Sequence, residues 1–346
     1  IHRMNRREFK KKLAAAAALS PWLWNIQLDQ MQHEIIYPNP ISKGDTIGLI
    51  APSGFISDER LNRAIANVLD LGYKYKHSAE LLNRTTGYLA GSDQDRIKEI
   101  HDMLNDPEVA AIWCIRGGYG LTRIIDKLDY NLIKAKQKII LGYSDITALH
   151  IAVFQNTGLV CYHGPVASST IKNYSKACIE NIFKDPTKLS AITNPFSLKK
   201  RNSLYEYQII NPGHAEGQLI GGNLSIVNSL IGTKYQPDFS NKIVFLEDVD
   251  ERPYRIDRML TQLIDATNFK ECNAIILGVF EGCIPKPEES SFSLHEVILE
   301  KFKDFNIPIV YGYSFGHTEN CCILPIGMNV IFDSATGTVI SSSDKN

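Results

Sequence analysis

The sequence predicts an α/β protein built on a parallel sheet, and three observations carry that prediction. Short apolar, β-branched runs alternate with segments of helical periodicity from residue 44 to about 162. Loops rich in glycine or serine follow three of those runs, where the ends of parallel strands would lie. The chain has 346 residues, 44% hydrophobic and 22% charged, which is enough for two globular domains.

The elements follow in order. Asp45 to Ala51 reads as a buried strand and Pro52-Ser53-Gly54 as its loop. Leu61, Ala64, Ile65, Val68 and Leu71 fall at helical spacing and predict a helix from Asp58 to Leu71. A short strand follows at Tyr73 to Lys76, then a helix to Leu104 capped by Ser92 or Asp93. Ala110 to Ile115 is the next strand, Arg116 to Gly120 its loop and Leu121 to Leu128 a helix. Lys138 to Leu141 is a strand that turns at Gly142-Tyr143 into a helix opened by Ser144 and Asp145, and Gly158 to Tyr162 is the strand after it. Residues 171–205 are polar and read as an irregular linker. Beyond it the pattern loosens. Gly213 to Ser225 is glycine-rich with short strands, Ile243 to Leu246 is a strand, and Tyr254 to Ala266 a helix. Ala274 to Phe280 (strand), Leu294 to Phe302 (helix), Ile307 to Tyr311 (strand) and a hairpin of Asn329 to Phe332 with Thr338 to Ser341 complete the chain.

Composition removes several function classes. The net charge is −1 with no basic stripe, which argues against nucleic acid as a partner. Seven cysteines, at 114, 161, 178, 272, 283, 321 and 322, contain no C-x-x-C pair, so neither a zinc site nor a complete disulfide framework follows. No later segment reaches the roughly 18 apolar residues of a membrane span. At the N-terminus, Arg6-Arg7-Glu8-Phe9 and three lysines precede Leu13-Ala14-Ala15-Ala16-Ala17-Ala18-Leu19. A basic region, a short apolar core and small residues are the pattern of an export signal, with an incomplete twin-arginine order. Residues 1–36 are therefore expected to form a signal and leader, and the protein to be exported to a periplasm; an amphipathic helix on a cytoplasmic protein is the other reading.

Ser144 is the most informative position. A serine where a strand turns sharply into a helix has its hydroxyl exposed beside the helix's free N–H groups. That suits a nucleophile whose attack creates an oxyanion, and it equally suits a helix cap. Ile146 stands where the G-x-S-x-G elbow has its second glycine. Gly117-Gly118, after another strand, could offer backbone N–H groups to an anion, or serve turn geometry alone. Glu247, Asp248, Asp250 and Glu251 follow an apolar strand, and Glu247 is the one nearest to it. Of nine histidines, His163, His214 and His317 sit in glycine-containing loops at strand ends.

Taken together, Gly44 to Ser53, Ile115 to Gly120, Gly142 to Thr147, Gly217 to Ser225, Phe245 to Asp248 and Gly316-His317 resemble, in content and order, the LD-carboxypeptidases. That serine peptidase family includes muramoyltetrapeptide carboxypeptidase and the microcin C self-immunity proteins. The likeness spans about residues 44–340. It implies a Rossmann-like N-terminal domain (37–170) carrying the nucleophile and, after the linker, a smaller β-rich C-terminal domain (206–346). It implies Ser144 as nucleophile, Glu247 as acid, His317 as base, and the backbone N–H groups of Asp145, Gly117 and Gly118 as oxyanion donors. It also implies a homodimer, a murein peptide substrate, and no metal or other cofactor. The expected activity is release of terminal D-alanine from the L-centre of murein tetrapeptide. Hydrolysis of microcin C-type peptidyl or acyl nucleotides, or non-catalytic peptidoglycan binding, are the alternatives. Arg116, beside the proposed oxyanion loop, is a candidate for the substrate's terminal carboxylate, and a structural ion pair is its other reading.

Overall fold

The computed structural model describes residues 34–189, 192, 206–288 and 290–344. The expected export signal falls almost wholly outside the described residues, as do residues 190–191 and 193–205 of the expected linker. The first half runs β1 (Thr46–Ile50), α1 (Asp58–Asp70), β2 (Lys74–Lys76), α2 (Asp93–Asn105), β3 (Val109–Cys114), α3 (Tyr130–Lys136), β4 (Ile139–Gly142), α4 (Ile146–Thr157), β5 (Cys161–His163) and α5 (Asn173–Lys184). The second runs β6 (Gln208–Asn211), β7 (His214–Asn223), α6 (Leu224–Ser229), β8 (Lys242–Val249), α7 (Pro253–Ala266), β9 (Ala274–Glu281), α8 (Leu294–Phe302) and β10 (Ile309–Tyr311). It ends with β11 (Leu324–Ile326), β12 (Asn329–Asp333) and β13 (Thr338–Ser341).

Two sheets result. The first has the order β11-β5-β4-β3-β1-β2, with β5 to β2 parallel and β11 antiparallel on the edge. The chain leaves β1 toward β2 on one side and returns to β3 on the other. The loops after β1 and β3 therefore part at a topological switch point, where open α/β sheets hold their ligands. The second sheet has the order β13-β12-β7-β8-β9-β10-β6; its centre, β7 to β10, is parallel. Strands covered on both faces read as unbroken apolar runs, and β3, β4, β8 and β9 are buried along nearly their whole lengths.

Helix ends match their sequence signals. Ser92 and Ser293 each accept from the N3 amide while Asp95 and Glu296 bond back, forming two capping boxes. Three expectations differ. Leu121 to Leu128 is two 3₁₀ turns, Leu121–Arg123 and Ile125–Lys127, because Ile124 between them has φ −123° and cannot continue a helix. The stretch read as an irregular linker contains the 12-residue helix α5, whose Ile179, Ile182 and Phe183 are buried. Gly213 to Ser225 forms one ten-residue strand, β7, rather than several short ones. Among the described residues no helix is long and apolar enough to cross a membrane.

Candidate active site

The end of β4 delivers Ser144 with φ +62°, a left-handed conformation that costs a non-glycine residue about 1–2 kcal/mol. The following helix gains no side-chain cap from this turn. Asp145 occupies the N-cap position in a right-handed helical conformation and makes no capping hydrogen bond. Its carboxylate is fully buried and faces away from the helix end. There Oδ2 accepts from Ser53 Oγ at 2.6 Å and from the Leu121 amide at 3.0 Å. Burial pushes the Asp145 pKa up, opposed by those two bonds. The reading of Ser144 as the helix cap is not met, since Asp145 takes the N-cap position and no side chain caps the helix; what holds the turn is a tie between the loops after β1 and β3.

A second tie lies beneath the first. Arg96 of α2 is wholly buried, and its Nη1 donates to Pro52 O at 2.8 Å and Gly120 O at 2.9 Å. Gly54 N–H also donates to Gly117 O at 3.3 Å. The β3 loop is thereby pressed against the serine. A Cβ on Gly117 would sit 2.8 Å from both Cβ and Oγ of Ser144 and 3.2 Å from Asp145 N. Only glycine allows that approach.

The second sheet supplies the titratable pair. Glu247 lies near the end of β8, completely buried, and its Oε2 meets His317 Nδ1 at 2.8 Å. His317 stands in the loop after β10, tied to β9 by the Val279–Gly316 bridge. Gly316, at φ +102°, is needed here because a Cβ would come within 2.9 Å of Glu247 Cβ and Oε2. The two sheets meet at this point. The His317 ring packs on Tyr143, the residue before Ser144, with centroids 4.3 Å apart. The Asn223 amide, at the end of β7, donates to Thr147 Oγ1 of α4 at 3.1 Å. Burial alone would raise the Glu247 pKa, but the charge and hydrogen bond of His317 outweigh it and hold the carboxyl below its usual range. The same pairing holds His317 above its ordinary 6.5, against the downward pull of burial. Asp248, alongside, is pushed up to about 6 by burial and by Glu247.

Arg116 lies half-buried on the rim. Its Nη1 donates to Phe55 O at 2.8 Å, and among the described residues no acidic group lies within ion-pair distance of it. Burial and the neighbouring Arg60 charge both lower its pKa, so this rim concentrates positive charge. Of the other loop histidines, His163 is fully buried in β5 near Glu247. His214 opens β7, at the opposite end of that strand from Asn223, and faces Asp333 at 3.6 Å. Sequence reasoning missed Ser53, Arg96, Thr147 and Asn223, whose roles arise only from contacts across the fold. Among the described residues no group of three His, Cys, Asp or Glu side chains could hold a metal ion. A strained serine, two glycine-lined loops and a carboxylate-bound imidazole are the parts needed for nucleophilic acyl transfer.

The LD-carboxypeptidase N-terminal domain model matches residues 47–164 and the C-terminal domain model residues 216–332. A probable murein peptide carboxypeptidase of Bacillus subtilis is 37% identical over 308 residues, covering 88% of this chain and 93% of that protein. The chain therefore belongs to the LD-carboxypeptidase family. Among solved structures, an MccF-like protein from Bacillus anthracis aligns with TM-score 0.76 and 29% identity, over 88% of this chain and 99% of that one. A muramoyltetrapeptide carboxypeptidase from Oxalobacter formigenes aligns with TM-score 0.73 and 27% identity, over 85% and 97% of the two chains.

Two outcomes are expected. In a histidine NMR titration, His317 should change protonation at a midpoint above 6.5, and Glu247→Gln should move that midpoint to lower pH, because the anion that favours imidazolium is gone. Gly117→Ala should lower the unfolding transition, since its Cβ would sit 2.8 Å from Ser144 and the loop must shift, and should reduce turnover of any substrate by about a hundredfold or more as the loop's N–H groups move away from the serine; thermal unfolding and steady-state kinetics read the two effects.

Proposed function

We propose that this protein is a serine carboxypeptidase that releases terminal D-alanine from the L-configured centre of murein tetrapeptide. The observation that carries the reading is the strained Ser144 turn beside the Glu247–His317 pair; the family and the murein-directed relatives support the substrate. With Nδ1 committed to Glu247, His317 has Nε2 left for chemistry. His317 takes the proton of Ser144 Oγ as the oxygen attacks the scissile carbonyl, and gives it to the departing amine of D-alanine. Glu247 fixes the imidazole tautomer and stabilises the imidazolium. The oxyanion is held by the backbone N–H groups of Asp145, Gly117 and Gly118. Water then attacks the acyl-enzyme, with His317 again as base, and frees Ser144. We further propose that the chain is exported and acts as a homodimer, as the basic-apolar leader and the family likeness suggest.

A second reading, hydrolysis of peptidyl or acyl nucleotides, has one observation in its favour. Tyr88 and Tyr119 form an exposed ring pair 5.6 Å apart, and Tyr119 lies on the Gly117-Gly118 loop. Incubation with murein tetrapeptide, its DD-configured analogue and an acyl-sulfamoyl nucleoside, followed by mass spectrometry, separates the two. D-alanine release from the LD substrate is expected, and Ser144→Ala should abolish it with the fold intact. Near-normal turnover by that variant removes Ser144 from the mechanism.

Arg116 is assigned to the terminal carboxylate, which a carboxypeptidase must recognise to tell a chain end from an internal bond. The absence of an acidic partner among the described residues and the neighbouring Arg60 charge support this. Arg116→Lys should raise KM strongly for tetrapeptide and much less for a C-terminally amidated substrate, since a point charge replaces a bidentate fork. Equal losses on both substrates would mark a structural role.

A further inference from the structure

Only one oxygen of the Glu247 carboxylate is taken by His317. Oε2 is bonded to Nδ1 of that ring, whereas Oε1 is buried and no donor meets it in hydrogen-bonding geometry; the Asn223 side-chain amide, which donates to Asp248 Oδ1 at 3.1 Å, is the other donor close enough to lower the Glu247 pKa. Facing Oε1 at 3.8 Å is Nε2 of His163, itself fully buried, and neither nitrogen of that ring has a hydrogen-bond partner. Buried polar atoms are nearly always satisfied, and leaving one unmet is costly. Here an unmet acceptor and an unmet potential donor lie 3.8 Å apart. The imidazole is also held firmly. His163 lies in β5 between β4 and β11, and its ring packs against Phe245 at 5.4 Å, Phe315 at 6.2 Å and Tyr143 at 6.3 Å.

We propose that His163 is a positioning residue: in its neutral form it carries its proton on Nε2 and donates it to Glu247 Oε1 as the pair closes to hydrogen-bonding distance. The carboxylate then bridges two imidazoles. One anchors its plane from the first sheet, and the other packs on Tyr143, the residue before Ser144. This rests on the reading of Glu247 and His317 as orienting acid and base. His163 does not exchange roles with His317, because burial brings its pKa down to about 4, with the His317 charge adding to that and the Glu247 charge opposing it. The other groups facing the cluster are Tyr143, just after β4, His150 of α4, Asn223 of β7, Asp248 of β8, Asp250 just past it, and Cys321.

The test uses His163→Leu, which removes the donor, and His163→Gln, whose side-chain amide nitrogen reaches the place of Nε2. The leucine variant should lose about 10- to 100-fold in kcat with KM little changed, the size expected for one hydrogen bond to a charged group. The acid limb of its kcat/KM profile should move to higher pH, because an unshared Glu247 charge holds the proton on His317 more tightly. The glutamine variant should recover most of the lost kcat and return the limb to its original place. Equal behaviour of the two variants, beside an inactive Ser144→Ala, overturns the proposal alone. Full activity of Ser144→Ala overturns the serine reading instead. A third measurement needs no turnover and no variant of His163. In ¹⁵N-histidine-labelled protein, His163 should remain neutral from about pH 5 to 8 with its proton on Nε2, and Glu247→Gln should shift that resonance. A proton on Nδ1, or a resonance blind to Glu247→Gln, refutes it.

Discussion

The buried carboxylate of Asp145 is the constraint on which the site depends. It follows Ser144 directly, so wherever it is anchored the serine is anchored too. By accepting from Ser53 and from the Leu121 amide it binds the ends of β1, β3 and β4 into one unit. Burying an anion is expensive, and its pKa rises although the Ser53 and Leu121 hydrogen bonds and the charge of Arg96 oppose the rise. A group held at that cost has few alternative positions, which gives the left-handed Ser144 turn a rigid support. Arg96, hydrogen-bonded to carbonyls of the same two loops, does the complementary work from the other face.

The second sheet imposes its own discipline through backbone shape. Gly221 and Gly222, at φ +142° and +131°, let β7 pass beside Phe245 O and the Thr147 side chain, where any Cβ would collide. That close passage sets Asn223 against Thr147, at the first turn of α4. Gly316 does the same beside Glu247. Glycines at 117, 222 and 316 thus fix how the serine from one sheet and the acid and histidine from the other come together, without any of them touching substrate through a side chain.

Much of this was legible in the chain, and the reason differs from part to part. Buried parallel strands carry continuous β-branched runs, so β1, β3, β4, β8 and β9 stand out, and Ser92 marks its helix by capping chemistry. The 121–128 segment has helical composition, and only the Ile124 backbone reveals that no helix forms. Helix α5 was hidden in a polar stretch because its buried face is narrow. Ser144, Glu247 and His317 were singled out by the order of short motifs. Their physical partners were not, because Ser53–Asp145 and Glu247–His163 join residues 92 and 84 positions apart, and no local pattern records such contacts. Arg116 was singled out only for its place directly before Gly117, and its bond to Phe55 O was not foreseen.

Strand β11 has a consequence for how the chain can be made and divided. It comes from the last part of the sequence, yet it hydrogen-bonds to β5 and seals the edge of the first sheet. Pro325 in its middle suits this outer position, since proline offers no donor for a further neighbour. Until residues 324–326 have left the ribosome, the N-terminal half has an open, apolar strand edge of the kind that recruits other strands. Severing the chain between the two halves would leave that edge uncovered in one fragment and strand a short orphan segment in the other. The two halves are consecutive in the gene but interlaced in space, so neither can be treated as a separable module.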